Sequence, residues 1–131
     1  MKVEIPAYNE AGQNVLFLLN TGVARNSEKL IKQFNSACEQ EEFKQKLDTK
    51  LIEYTNAGIT DFLNGDTENF YLNLEKLVRF QLQEMDYLIP EKYQGIVQKG
   101  LDTKEYYLKI CGSGGGGYMI CLLYTSDAAD E

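Results

Sequence analysis

With 131 residues, 44% of them hydrophobic, the chain has the size of one compact domain with enough apolar material for a core. Its net charge of −7 argues against a nucleic-acid or anionic-membrane surface, and the absence of histidine excludes histidine base chemistry and histidine metal ligation. Cys38, Cys111 and Cys121 form no Cys-x-x-Cys, and neither a signal peptide nor an apolar run of membrane-spanning length is visible, so reduced thiols in the cytoplasm are expected.

In chain order, the alternation from Lys2 to Pro6 predicts a short strand, and the polar stretch Asn9 to Asn14, with Gly12, a turn. Val15 to Leu19 is a continuous apolar run bounded by turn residues, which predicts a buried strand. Asn26 or Ser27 then offers a helix N-cap, with Glu28 where the helix dipole favours an anion, and Leu30, Ile31 and Phe34 as the apolar stripe. Between Glu41 and Leu63, Phe43, Leu47, Leu51, Tyr54, Gly58 and Phe62 recur at three and four and predict one long helix. Asn64-Gly65 ends it and Asp66 or Thr67 caps the next, striped by Phe70, Leu74, Leu77, Val78, Met85 and Leu88. So short a connection makes the two helices antiparallel neighbours. Pro90 suits the first turn of a short helix over Glu91 to Gly100, followed by a strand over Lys104 to Cys111. The glycine run comes next, then a strand from Tyr118. Strand, helices, strand, turn and strand make an α+β fold.

The densest chemical signal is Gly112-Ser113-Gly114-Gly115-Gly116-Gly117, where five of six residues are glycine between two strand-like segments. Successive glycine N–H groups can converge on an anion, so close approach to phosphate is one reading. The Gly-x-Gly-x-x-Gly spacing is satisfied, yet the dinucleotide fingerprint needs a helix after the loop and a strand is predicted there. The P-loop pattern also fails, because Tyr118 and Met119 stand where lysine and a hydroxyl are required. A long hairpin turn and a flexible Gly/Ser linker remain as alternatives. The apolar flanks suit a hairpin better than a linker.

Lys109-Ile110-Cys111-Gly112-Ser113-Gly114-Gly115-Gly116-Gly117 resembles the third motif of the GHMP kinases, the superfamily of galactokinase, homoserine, mevalonate and phosphomevalonate kinases. Leu18-Leu19-Asn20-Thr21-Gly22-Val23-Ala24-Arg25-Asn26-Ser27 is similar to the strand-to-helix junction that opens the C-terminal half of mevalonate kinases. It departs at Ala24, where proline is frequent, and at Ser27, where threonine is. The resemblance spans roughly Val15 to Ile120. It implies a ferredoxin-like C-terminal domain, residues 1–120, of an ATP- and Mg-dependent enzyme of isoprenoid biosynthesis that phosphorylates a small alcohol, mevalonate first. A phosphomevalonate or sugar kinase, or a non-catalytic helical interaction domain, is the alternative. The first phosphate motif, catalytic aspartate and Mg ligands of that superfamily have no counterpart here, so the chain alone is expected to be inactive, with no catalytic residue of its own. Expected partners are ATP and a small-molecule substrate, with no nucleic acid and no membrane.

The resemblance implies that Gly112, Ser113, Gly114, Gly115, Gly116 and Gly117 face the nucleotide phosphates and that Arg25 and Ser27 face the substrate cleft. Arg25 also suits that role through its planar, bidentate guanidinium, although arginines are commonly surface residues. Lys109 has two readings, a cleft residue or a solvated strand lysine. Residues 121–131, Cys-Leu-Leu-Tyr-Thr-Ser-Asp-Ala-Ala-Asp-Glu, resemble a translated sequencing adapter and are expected to be non-native, although Cys121 to Tyr124 suits a strand whatever its origin.

Overall fold

The computed structural model describes residues 14–24, 26–112 and 114–124. The strand expected at Lys2–Pro6, the residues preceding Asn14 in the predicted turn, Arg25, Ser113 and residues 125–131 lie outside that description. Three strands, β1 (Asn14–Asn20), β2 (Tyr106–Ile110) and β3 (Tyr118–Tyr124), form an antiparallel sheet in the order β1-β3-β2. The helical segments fall between β1 and β2 in sequence, so the fold is α+β.

Register assigns the two faces of the sheet. Phe17 and Leu108 both lie opposite Cys121, whereas Leu18 and Lys109 both lie opposite Ile120. The Phe17 face carries Tyr106, Leu108, Ile110 and Met119; the Leu18 face carries Leu16, Tyr107, Lys109 and Leu122. β3 runs on past Ile120, and Cys121 and Leu122 are buried in the core.

α1 (Ser27–Cys38) starts where the sequence places it. Asn26 caps it, its side-chain oxygen accepting from the Lys29 N–H at 3.1 Å. Leu30 is buried and Phe34 half-buried, but Ile31 is exposed, because the stripe of this helix is narrower than its three apolar residues. The single long helix expected over Glu41–Leu63 is three pieces: α2 (Glu41–Lys46), a π-helical turn (Leu47–Leu51) and α3 (Ile52–Leu63). Its six stripe residues share one half-buried face, and none is fully buried. Gly65 with φ of 73° ends α3, and Asp66 caps α4 (Thr67–Glu84) through the Asn69 N–H at 3.2 Å. The antiparallel α3–α4 pair forms as the short connection requires.

Met85 and Leu88 are buried, but they lie beyond α4, in the C-cap and in a 3₁₀ turn over Asp86–Leu88. α5 (Glu91–Thr103) is a turn longer than expected and stops at Lys104, which adopts the left-handed conformation at φ 61°. That end displaces the start of β2 to Tyr106. Gly100 of α5 lies against the backbone and ring of Tyr106, so the helix seats on β2. α4 lies on the other face, with the Tyr71 and Tyr107 ring centroids 6.0 Å apart. Val78, Val97, Leu101 and Met119 are almost wholly enclosed between these layers. Burying each contributes about 1.5–3 kcal/mol.

One expectation fails. The apolar run Val15–Leu19 is a strand, but it is not buried: Val15, Leu16, Phe17 and Leu18 are 39–58% exposed. Among the described residues its principal neighbour is β3, and none of the described helices is a principal neighbour of it.

Candidate functional site

The glycine turn joins β2 to β3 and lies against the junction between β1 and α1. Gly117 donates its N–H to the Val23 carbonyl at 2.9 Å, and its own carbonyl accepts from both the N–H and the hydroxyl of Thr21, each at 2.8 Å. Thr21 is almost fully enclosed, and its hydroxyl oxygen also accepts from the Val23 N–H at 3.2 Å. Gly115 donates to the Leu88 carbonyl, and Gly114 to Cys111 at 3.3 Å.

These contacts explain the glycines. Gly112, Gly114, Gly115 and Gly117 have φ between 60° and 76°, the left-handed region that a β-carbon disfavours. A Cβ on Gly114 would lie 2.7 Å from the Leu88 carbonyl oxygen, one on Gly115 would strike Leu30, and one on Gly116 would strike the Val23 carbonyl. Close approach is therefore to the protein's own backbone, and Gly114 and Gly116 are buried. A solvent-exposed spacer does not describe this segment. Anion binding has fewer donors than the motif suggests, since three of the turn's N–H groups are committed internally. Among the described residues, Gly112 and Gly116 are the turn's glycines whose N–H groups are not.

Beside the turn is a cleft made of two adjoining hollows of about 630 and 460 Å³ that share Asn26, Lys29, Gln33 and Tyr87. Gly115, Leu30 and Glu91 border the inner one, and Glu28 and Lys32 the outer. Lys32 and Glu28 pair at 3.5 Å on an exposed surface, an interaction worth little. Lys29 makes no ion pair among the described residues. Sequence reading missed it, although a signal existed: a lysine in the first turn of a helix opposes the macrodipole. The Tyr87 hydroxyl is buried without a partner among the described residues, and burial raises its pKa above the usual 10.0.

Of the expected site residues, Gly116 and Gly117 meet the β1–α1 junction, Gly115 lies against Leu30 of α1 and Gly114 against Leu88, while Gly112 is an exposed residue at the start of the turn. Ser27 is exposed as the first residue of α1, in that same junction. Arg25 and Ser113 lie outside the described residues. Lys109 is not in the cleft. It sits on the Leu18 face of the sheet, in an apolar groove of about 550 Å³ walled by α3 and α4, and donates to the Ile110 carbonyl at 2.8 Å. Desolvation there lowers its pKa from 10.5.

Among the described residues no group of cysteines and carboxylates is arranged to hold a metal ion, and no helix is long and apolar enough to cross a membrane. No protein-family model matches the chain, and comparisons with curated proteins and with solved structures find no match either.

Proposed function

We propose that the chain is the C-terminal part of an ATP-dependent small-molecule kinase of the GHMP type, with mevalonate as its foremost substrate. The observation that carries this reading is direct bonding between the two motif stretches. Thr21 of the junction and Gly117 of the glycine motif, 96 positions apart, are joined by two hydrogen bonds, and Val23 adds a third. Two segments that separately resemble parts of one active site thus adjoin one cleft.

Phosphoryl transfer depends on positioning and charge neutralisation more than on covalent chemistry. Lys29 supplies a cation at this cleft, and Gly112 and Gly116 keep N–H donors on the adjoining turn. Arg25, which precedes α1 in sequence, is the second cation that the resemblance implies. In this reading ATP, the Mg ligands and the catalytic base belong mainly to a preceding domain. The connectivity and the strand order β1-β3-β2 among the described residues agree with the first three strands of a ferredoxin-like sheet, in which a fourth strand would lie beside β1.

The test is the source DNA upstream of Met1. A longer frame carrying a Pro-x-x-x-Gly-Leu-Gly-Ser-Ser motif, whose product phosphorylates mevalonate with ATP while the 131-residue chain does not, is the expected result. ATP turnover by the short chain, or an extended product inert toward mevalonate, phosphomevalonate, homoserine and galactose, rejects the reading. The uncovered apolar surface of β1 favours a second reading, a protein-interaction module, which an upstream frame without a phosphate motif would select.

A further inference from the structure

We infer that the groove between α3, α4 and the sheet binds a medium-chain aliphatic carboxylate, its tail among the apolar side chains and its head on the ammonium of Lys109. The groove measures about 550 Å³, inside the range of about 300–1,000 Å³ that small-molecule sites occupy. Phe62 of α3, Phe70, Leu74 and Leu77 of α4, and Ile120 and Leu122 of β3 supply its apolar lining. Lys109 is the one charged residue on its walls. Those walls include no residue of β1 and none of the cleft beside the glycine turn, so binding here is separate from phosphate chemistry.

The lysine specifies the head group. An ammonium set among apolar side chains loses hydration, and a counterion offsets that cost. Lys109 enters no ion pair among the described residues, and one of its three donors goes to the Ile110 carbonyl at 2.8 Å. Two donors are left, which suits a carboxylate with its two acceptor oxygens and single charge. A phosphate or diphosphate head carries more charge than one lysine offsets. The walls specify the tail. The side chains of Thr55 and Asn73, which also line the groove, already donate to the Leu51 carbonyl and the Asp61 carboxylate at 2.9 and 2.8 Å. What remains is hydrocarbon and aromatic surface, fitted to a chain that makes no hydrogen bonds. The α3 wall runs from Tyr54 to Leu63, about 13 Å of helix and the length of an extended chain of about ten carbons.

Titration calorimetry on the full 131-residue chain with octanoate and decanoate, below their micellar concentrations, tests this. Decanoate should bind one to one and about four- to fifteenfold more tightly than octanoate, the gain that burying two further methylenes brings. Lys109→Met should weaken octanoate at least tenfold and leave 1-octanol, which has the same tail and no charge, within about twofold. Gly58 lies in the α3 wall, and a β-carbon there meets nothing nearer than Asn73 at 3.7 Å. Gly58→Leu therefore adds bulk beside the groove on a helix that accepts it, and should weaken both ligands at least tenfold. Should the variants fail to fold, NMR on the unmodified chain decides: decanoate shifts the signals of Phe62, Phe70 and Lys109 and leaves those of the glycine turn in place. No binding of decanoate, a loss of octanoate on Lys109→Met no greater than that of 1-octanol, binding that survives Gly58→Leu, or shifts centred elsewhere overturns the inference.

Discussion

The glycine turn and β1 adjoin each other, yet hydrophobic patterning alone ranks them the wrong way round. β1 is the most continuous apolar segment near the start of the chain, and its side chains lie open. The turn has almost no side chains, and two of its glycines are among the buried residues. Burial follows from what can be laid on a segment, and glycine allows backbone to be laid on backbone. Val23, Leu88 and Gly114–Gly117 lock together through main-chain hydrogen bonds that no larger residue would leave room for.

The largest effect expected from that difference is at Gly116. Gly116→Ala drives a β-carbon into the Val23 carbonyl, part of the backbone that Gly117 also bonds, so a cost above about 3 kcal/mol is expected. Gly22 is the control, with φ of 70° but open space within 4 Å of where its β-carbon would lie. Gly22→Ala should cost only left-handed strain, about 1–2 kcal/mol. Urea denaturation of the two variants measures the gap, and equal losses would mean that conformation, not close packing, governs the turn.

The sheet offers the second contrast. Met119 of β3 is 1% exposed and Leu18 of β1 is 58% exposed. Met119→Ala should cost about 2–5 kcal/mol, as core truncations do. Leu18→Ser should stay within about 0.5 kcal/mol when measured at a dilution that keeps the chain monomeric. A large loss at Leu18 under those conditions would show that β1 is covered within a single copy.

Much of the element order was legible because local chemistry specifies it. Asn26 and Asp66 cap helices through side-chain oxygens, Gly65 takes the left-handed turn that ends α3, and the two apolar segments around the glycine run pair as a hairpin. What failed was non-local. Nothing in Val15–Leu19 reports whether a helix will cover it, and the stripe over Glu41–Leu63 does not show that the chain takes a π-helical turn at Leu47–Leu51. For the candidate site, the glycines were legible as residues needing space, but their neighbours were not. Leu88 and Val23 lie far from the turn in sequence, and only the fold shows that they receive its N–H groups. Lys29 went unnoticed because a lysine early in a helix reads as solvent-exposed until a cleft forms beside it.

A smaller effect is expected at Tyr87, on the border of the cleft. Its hydroxyl is buried with no partner among the described residues, and an unsatisfied buried hydroxyl costs about 1–3 kcal/mol. Tyr87→Phe should therefore raise stability by about 1 kcal/mol in thermal or urea unfolding. A loss of similar size would reveal that the hydroxyl is bonded in solution, placing a water or an ordered polar group inside the cleft.

The subtlest prediction concerns Lys109 and carries a definite sign. Burial in the apolar groove lowers its folded pKa below 10.5, whereas in the unfolded chain it titrates near that ordinary value. Between the two values the unfolded chain holds more protons, so stability rises with pH across that window and the burial penalty is gone above 10.5. Tyr87 and Tyr106, whose pKa values desolvation raises above 10.0, act oppositely at high pH, since the unfolded chain ionises first. Their contribution is common to the parent and to Lys109→Met and cancels in the difference. Lys109→Met should thus be the more stable protein at about pH 7, and its advantage should shrink steadily as pH approaches 10.5. Matched urea titrations at several pH values read this directly. An advantage that does not change with pH would place the ammonium in water, outside the groove between α3 and the sheet.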